Sequence, residues 1–176
     1  MKSLVDQLSQ YATYHRDRRN IATHFVGIPM IVVGIEALLG RPSLGMLGVP
    51  LTAAAVSTAA SIVYYVALDR RYGAVMTALL AVSLWAGMSI AALPTGGWLL
   101  VSTALFVVGW IVQFIGHGFE GKKPAFADDL IGLLMGPLFI VAEVGFALGL
   151  REEVREEVER RAGPTRSGRI APSSAA

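Results

Sequence analysis

The sequence predicts an all-α protein, a polytopic bundle of membrane-spanning helices. The chain has 176 residues, of which 54% are hydrophobic and only 16% charged, and its mean hydropathy is +0.57. A helix needs about 20 apolar residues to cross the hydrocarbon of a bilayer, and several runs of this length occur. The chain is therefore long enough for roughly four to six spans, and no separate soluble domain fits beside them.

The N-terminal segment predicts an amphipathic helix at the membrane surface. Leu4, Leu8, Tyr11 and His15 recur at the spacing of one helical stripe, while charged and polar residues lie on the other faces. We therefore expect His15 to lie on the apolar stripe. The first residues lack an apolar core and a cleavage site of small residues, so we expect no signal peptide.

Four apolar runs predict transmembrane helices. Asn20 is suited to cap the first of them, and Pro50 lies where the first turn of the second is expected. Small residues in the middle of the second run favour close helix packing. The four runs are residues 21–39, 47–68, 73–93 and 98–115.

A fifth apolar stretch, residues 130–150, is predicted to re-enter the membrane or to span it. We expect Gly136-Pro137 to break it, and Glu143 lies inside it. Basic residues near both termini, at 70–71 and at 122–123 fall on one side if four helices cross, which favours four spans with cytoplasmic termini. The predicted membrane domain covers 1–150. Residues 151–176 form a charged helix, with Glu156/Arg160 and Glu157/Arg161 pairs, and a disordered tail from 163.

The three histidines, His15, His24 and His117, are all predicted to lie at the cytoplasmic boundary. The chain has no cysteine, so a metal site would be built from histidine and carboxylate ligands. In one continuous helix His15 and His24 would lie on opposite faces, so they converge only if the chain turns between them. Residues 16–20 are suited to that turn.

Glu120 is a further candidate ligand, because Gln113, His117 and Glu120 follow one another at i, i+4 and i+7 on one helical face. Histidines with open coordination positions suit Fe(II) and oxygen activation, and zinc accepts the same ligands. The spacing of these residues does not distinguish iron from zinc. Candidate supporting or substrate-contacting residues are Asn20, Gln113, Lys122 and Glu143; Lys123 is a second interfacial cation, and Asp128 and Asp129 are expected as helix caps.

Several other interpretations remain at this point. Each histidine could be a hydrogen-bonding partner at the interface and no ligand. A zinc-dependent membrane hydrolase would need a general base, and no His-Glu-x-x-His motif is present. A small transporter, channel or assembly protein is a non-enzymatic alternative, although the polar groups collect at one face and not at the bilayer midplane. Nothing indicates nucleic-acid binding.

Two sequence blocks resemble one known family. YHRDRRNIATHFVGIP contains the pattern Tyr-His, Asn, His and Gly-x-Pro, and WIVQFIGHGFEGKKPAFADDL with GPLFIVAEV contains Gln-x-x-Gly-His, Glu, Pro-Ala, Pro and Glu. Together they resemble the signatures of the fungal 2-hydroxy fatty acid dioxygenases and their bacterial relatives. The likeness covers about residues 10 to 150.

The resemblance implies a membrane enzyme that uses Fe(II) and O2 to shorten long-chain 2-hydroxy fatty acids by one carbon, with release of CO2. His15, His24 and His117 match the expected iron ligands, whereas a role for Glu120 or Glu143 is not implied. Fungal relatives reside in the endoplasmic reticulum; for this chain a bacterial inner membrane is expected. A homo-oligomer is compatible with the sequence.

Overall fold

The computed structural model describes residues 2–46, 49–122 and 131–167, and within them the fold is a bundle of helices. The predicted all-α membrane class is confirmed. A two-stranded antiparallel hairpin is the exception to the helical pattern, and it pairs Ser43 with Thr52. The elements are α1 Leu4–Ala12, α2 Arg18–Leu39, β1 Ser43–Met46, β2 Val49–Thr52, α3 Ala53–Leu68, α4 Arg70–Ala91, α5 Thr95–Glu120, α6 Ile131–Ala147 and α7 Glu152–Ala162.

Three of the described helices, α2, α4 and α5, are long and apolar enough to cross a membrane. Helices α6 and α7 pass the same test only as a pair that is bent by 115°. This bend leaves both expected possibilities for the fifth stretch, a broken span or a re-entrant segment. The chain thus has three candidate spans, or four if the bent pair is one.

The second expected span is shorter than the sequence predicted. Helix α3 has 16 residues, about 24 Å at the rise of an α-helix, which is less than the roughly 30 Å of a hydrocarbon core. The placement of Pro50 in its first turn was wrong, because Pro50 lies in β2 opposite Gly45. Thr52 caps the helix instead, its side chain accepting the Ala55 N–H. Leu47, the expected start, lies outside the described residues.

Helix α6 continues through Gly136-Pro137, so the expected break there was wrong. A proline in a helix removes one backbone hydrogen bond, and apolar membrane helices tolerate this where neighbouring groups compensate. The chain turns later, after Ala147, where Gly149 has a φ of 71° that favours glycine. The expected caps Asp128 and Asp129 lie outside the described residues.

The N-terminal segment differs from expectation in two ways. Helix α1 ends at Ala12, so His15 follows it in a turn, and the buried stripe with Leu4 and Leu8 packs against α6 and α7. Helix α2 begins at Arg18, which places Asn20 inside the helix and not at its cap. Asp17 precedes the helix, and its carboxylate accepts the backbone N–H of Arg19 at 2.9 Å. The expected turn between the histidines is present.

The charged helix α7 forms as predicted, with one change of pairing. Glu157 pairs with Arg161 as expected, but Arg160 also contacts Glu157, at i, i+3, in place of Glu156. Disorder was predicted from residue 163, and residues 168–176 of that stretch lie outside the described residues. Residues 163–167 follow α7 in a defined conformation, and Arg166 forms a parallel bridge with Asp17.

The chain divides into two compact units. The first, which we call the histidine unit, comprises the described parts of residues 1–25 and 112–176, and the second, the middle unit, comprises residues 26–111. Every candidate site residue belongs to the histidine unit. The predicted division at residue 150 stays a prediction.

Candidate metal centre

The three histidines meet in the histidine unit. His15 comes from the turn after α1, His24 from the second turn of α2 and His117 from the last turn of α5. One ligand nitrogen from each ring lies within 4.8 Å of the other two, and the ring centroids are 4.5 to 5.1 Å apart. All three residues are buried, with exposed fractions of 0, 2 and 6%. The sequence expectation that these residues converge is met by the geometry.

Two of the rings are oriented by backbone carbonyls. The carbonyl oxygen of Tyr11 accepts a hydrogen bond from Nδ1 of His15, and that of Asn20 accepts one from Nδ1 of His24, both at 2.8 Å. Because a carbonyl only accepts, the proton is on Nδ1 in each ring and Nε2 carries a lone pair. Metal-bound histidines use this arrangement to fix ring orientation. The Tyr11 ring also stacks on His15, with centroids 4.1 Å apart.

Two ring nitrogens in the cluster lack a hydrogen-bond partner among the described residues. They are Nε2 of His15 and Nδ1 of His117. An unpaired buried nitrogen costs about 1–3 kcal/mol unless something binds it. Burial, and next the neighbouring His24, hold the pKa of His15 well below its ordinary value. Its ring is therefore neutral, which is the form that binds metals.

The donor set fits a single divalent ion. Two nitrogens that are each about 2.1 Å from one ion lie about 3.4 Å apart at a tetrahedral angle, so binding would draw a pair that is 4.8 Å apart together by about 1.4 Å. Three imidazoles leave coordination positions open for other ligands, and suit iron or zinc equally. Among the described residues this cluster contains no carboxylate.

Glu120 lies beside the cluster and anchors the turn that carries His15. Its Oε2 accepts the backbone N–H groups of Arg16 at 2.9 Å and Asp17 at 2.7 Å, and also Nδ2 of Asn20 at 3.3 Å. Its Oε1 accepts Nη2 of Arg166 at 2.8 Å. Both oxygens are thus engaged by N–H donors, a role that spacing along the sequence did not suggest. A ligand role for Glu120 stays a prediction.

Glu143 and Lys122 also support the turn. Glu143 pairs with the buried guanidinium of Arg16 at 3.4 Å, which joins α6 to the residue after His15. The ammonium of Lys122 donates to the carbonyl of Thr13 at 2.7 Å. The structure therefore places both residues around the turn, and Lys123 lies outside the described residues.

Asn20 and Gln113 lie one helical turn from His24 and His117, respectively. The carboxamide nitrogen of Asn20 donates to the carbonyl of Tyr14 as well as to Glu120. Gln113 is buried, and its Oε1 has no hydrogen-bond partner within the part of the chain that the structure describes. Gln113 therefore presents a free acceptor on the face of α5 that carries His117.

Three residues that contribute to this region were not predicted as site residues. Tyr11 orients His15, Asp17 begins α2, and Arg166 reaches back from the far end of the chain to Glu120. The contact of Arg166 spans 46 residues, and a single sequence contains no local signal for such a pairing.

Comparison with known proteins identifies the family of this chain. The sequence model of the family described as "2-hydroxy-palmitic acid dioxygenase Mpo1-like" matches residues 1–148. The chain is also similar to the 2-hydroxy-palmitic acid dioxygenase MPO1 of Saccharomyces cerevisiae, with 32% identity over 160 residues, which is 89% of this chain and 87% of the yeast protein. No solved structure matches the chain. The match to more than half of the chain, together with this identity, shows that the protein belongs to the 2-hydroxy-palmitic acid dioxygenase Mpo1-like family.

Proposed function

We propose that this protein is an Fe(II)-dependent dioxygenase that shortens long-chain 2-hydroxy fatty acids by one carbon. The observation that carries the proposal is the buried cluster of His15, His24 and His117 in a member of this family. The yeast relative is named for 2-hydroxy-palmitic acid, and that substrate class is extended here to this chain. Iron bound by the three rings would supply oxygen activation and a Lewis acid for the substrate.

The reaction needs no further oxidant or reductant. Conversion of a 2-hydroxy acid and O2 into the acid one carbon shorter, CO2 and water is balanced in atoms. Oxidation of the carbinol carbon to a carboxyl group releases three electrons and oxidation of the carboxyl carbon to CO2 releases one, and O2 accepts all four. A protein that supplies only a metal site is therefore chemically sufficient.

The protein's own part is to hold the rings neutral and oriented and to exclude water. The carbonyls of Tyr11 and Asn20 fix the two Nδ1 protons, so that both Nε2 lone pairs are available. Burial of all three histidines strengthens electrostatic interactions within the cluster. The predicted membrane setting would leave the acyl chain of the substrate in hydrocarbon while its polar end meets the histidines.

Gln113 is the group we assign to recognition of the 2-hydroxyl. Its buried Oε1 has no donor among the described residues, and it shares a helix face with His117. A site that hydrogen-bonds a substrate hydroxyl discriminates strongly against a substrate without it, because the buried acceptor is then unpaired. Gln113→Leu removes this acceptor at similar volume.

The test is metal analysis and turnover on protein purified anaerobically in detergent. We expect about one iron per chain, and O2-dependent formation of the acid one carbon shorter from 2-hydroxypalmitate but not from palmitate. Alanine at His15, His24 or His117 should remove both iron and turnover, while circular dichroism and gel filtration remain those of the wild type. Gln113→Leu should keep its iron and raise KM for 2-hydroxypalmitate by roughly 10-fold to 100-fold.

The proposal fails if any single histidine variant retains wild-type turnover, since that residue is then no ligand. Stoichiometric zinc with no O2-dependent product would favour hydrolysis. Protein that is folded and supplied with iron but binds no metal would leave the histidines as structural residues. An unchanged KM in Gln113→Leu would remove only the hydroxyl assignment.

A further inference from the structure

A short segment after α7 is attached to the turn that carries His15. We call residues 163–167 the C-terminal strap. The backbone N–H of Arg166 donates to the carbonyl of Arg16 at 2.6 Å, and the carbonyl of Arg166 accepts the N–H of Arg18 at 3.0 Å. The two segments therefore pair on either side of Asp17, as adjacent parallel strands do.

Side chains fasten the strap at two points. Nη1 of Arg16 donates to the carbonyl of Gly163 at 3.1 Å, and Nη2 of Arg166 donates to Oε1 of Glu120 at 2.8 Å. The Glu120 side chain is completely buried, whereas Arg166 is one-third exposed. A buried carboxylate is costly without a cation and full hydrogen bonding, and Arg166 provides the cation and the described hydrogen bond to Oε1.

The hydrogen bonds of Glu120 hold the turn that joins α1 to α2. Residues 13–17 follow the last residue of α1 and precede the first of α2. The N–H groups of Arg16 and Asp17 have their partner in Oε2 of Glu120, the same carboxylate whose other oxygen holds Arg166. His15 is the neighbour of Arg16, so a displacement of Glu120 moves the backbone from which the His15 ring extends.

We propose that the C-terminal strap is a positioning element of the metal centre, with Arg166 acting through Glu120 on the turn that presents His15. The inference rests on the proposed function for the identity of the cluster as a metal site. It extends that function, because the family model matches residues 1–148 and the strap follows this stretch. Arg166 touches no ligand nitrogen and is a positioning residue, not a catalytic one.

The experiment compares Arg166→Ala, Arg166→Lys and Arg160→Ala in the full chain. Arg160 is the matched control, because it is an exposed arginine of α7 whose ion pair is with Glu157. Two quantities are measured on metal-free protein in detergent. The first is the Kd for Co²⁺, titrated anaerobically as a spectroscopic probe, and the second is hydrogen exchange of the amides of residues 13–18.

We expect Arg166→Ala to weaken Co²⁺ binding by about 10-fold, at the lower end of the range for residues that support metal ligands. Exchange at Arg16 and Asp17 should rise before any metal is added. Arg166→Lys keeps the cation and should recover most of the affinity, and Arg160→Ala should match the wild type in both measurements.

Wild-type Co²⁺ affinity together with unchanged exchange in Arg166→Ala would overturn the inference. Equal weakening in Arg160→Ala would also overturn it, because any loss of an arginine would then suffice. The exchange measurement needs neither metal nor turnover. If the wild type binds no metal, the proposed function fails while the exchange data still report whether the strap holds the turn.

Discussion

The contacts inside the two units of the chain are of different kinds. In the histidine unit, polar side chains join distant parts of the sequence, beside the apolar packing of α1 on α6 and α7: Glu120 joins residues near 16 and residue 166 to the end of α5. In the middle unit, glycines allow close contacts between helices. A Cβ on Gly34 would lie 2.9 Å from the backbone nitrogen of Phe106, and one on Gly87 would lie 2.7 Å from Cβ of Glu36.

The difference shows which unit contains the buried polar groups that a functional site needs. Buried polar groups contribute less to stability than apolar packing, and they require partners to be tolerated. The middle unit has one buried carboxylate, Glu36, among its described residues, with a single described donor in Thr58. The histidine unit buries three imidazoles and two carboxylates, Asp17 and Glu120, and Glu120 alone has four donors. Polar groups are concentrated where a metal would need them.

The same substitution in both units gives the largest expected contrast. Glu120→Gln removes the negative charge that pairs with Arg166 and accepts two backbone N–H groups. It also replaces one carboxylate oxygen by an amide NH2 group, which would face one of these N–H donors. We expect a loss of roughly 3 kcal/mol or more in the free energy of unfolding of metal-free protein, together with weaker metal binding. Glu36→Gln keeps a carbonyl oxygen for the Thr58 hydroxyl, so its change should stay within about 1 kcal/mol.

Thermal unfolding and Co²⁺ titration of both variants measure this contrast. A Glu120→Gln protein as stable as the wild type without metal, but unable to bind it, would identify Glu120 as a ligand and not as an anchor. Equal destabilisation by the two substitutions would contradict the distinction between the units.

The glycines that flank His117 provide a second contrast, of intermediate size. A Cβ on Gly116 would lie 2.0 Å from Oγ1 of Thr23 and 2.6 Å from Oδ1 of Asn20, whereas a Cβ on Gly118 meets nothing within 4 Å. Gly116→Ala must therefore displace the side chains of Thr23 and Asn20, and Asn20 is the residue whose backbone carbonyl orients His24. We expect a loss of about 1–3 kcal/mol in stability and an approximately 10-fold weaker Co²⁺ affinity.

Gly118→Ala is the matched control. It should leave metal binding unchanged and stability equal or slightly higher, because alanine favours a helix more than glycine does. Wild-type Co²⁺ affinity in Gly116→Ala would mean that α2 yields to the added methyl without moving His24.

The convergence of the histidines could be predicted from the sequence, because it depends on counting apolar runs. Once four crossings are counted, the start of the first, which carries His24, and the end of the fourth, which carries His117, are predicted on the same side of the membrane. In one continuous helix His15 and His24 would lie on opposite faces, so their convergence required a turn between them. The structure has that turn at residues 13–17. Periodicity and helix geometry are local properties, and these predictions used nothing else.

The contacts that hold the histidines in position could not be predicted from such local properties. Asn20 has the composition of a helix cap, yet Asp17 takes that position, and Asn20 holds His24 and Glu120 from inside α2. Arg166 lies in a stretch whose composition favours disorder, yet it pairs with Glu120, a residue distant in the sequence. Tertiary contacts override local propensity at these positions. The structure around Pro50 and Pro137 differs from the prediction for the same reason. The local effect of a proline does not determine how the neighbouring residues accommodate it.

Gly34→Ala in the middle unit should have the smallest effect on the metal site and thus gives the sharpest test of the comparison. Its new Cβ would press on backbone atoms, at 2.9 Å from Phe106 N and 3.1 Å from Ser102 O, which side-chain rotation cannot relieve. We expect stability to fall by about 1–3 kcal/mol with Co²⁺ affinity unchanged. Gly97→Ala, whose Cβ would make ordinary contacts at 3.7 Å and beyond, is the control that should leave both quantities unchanged. If Gly34→Ala weakens Co²⁺ binding as much as Gly116→Ala does, then packing in the middle unit sets the geometry of the histidines. In that case the polar anchors of the histidine unit would not be sufficient to hold the site.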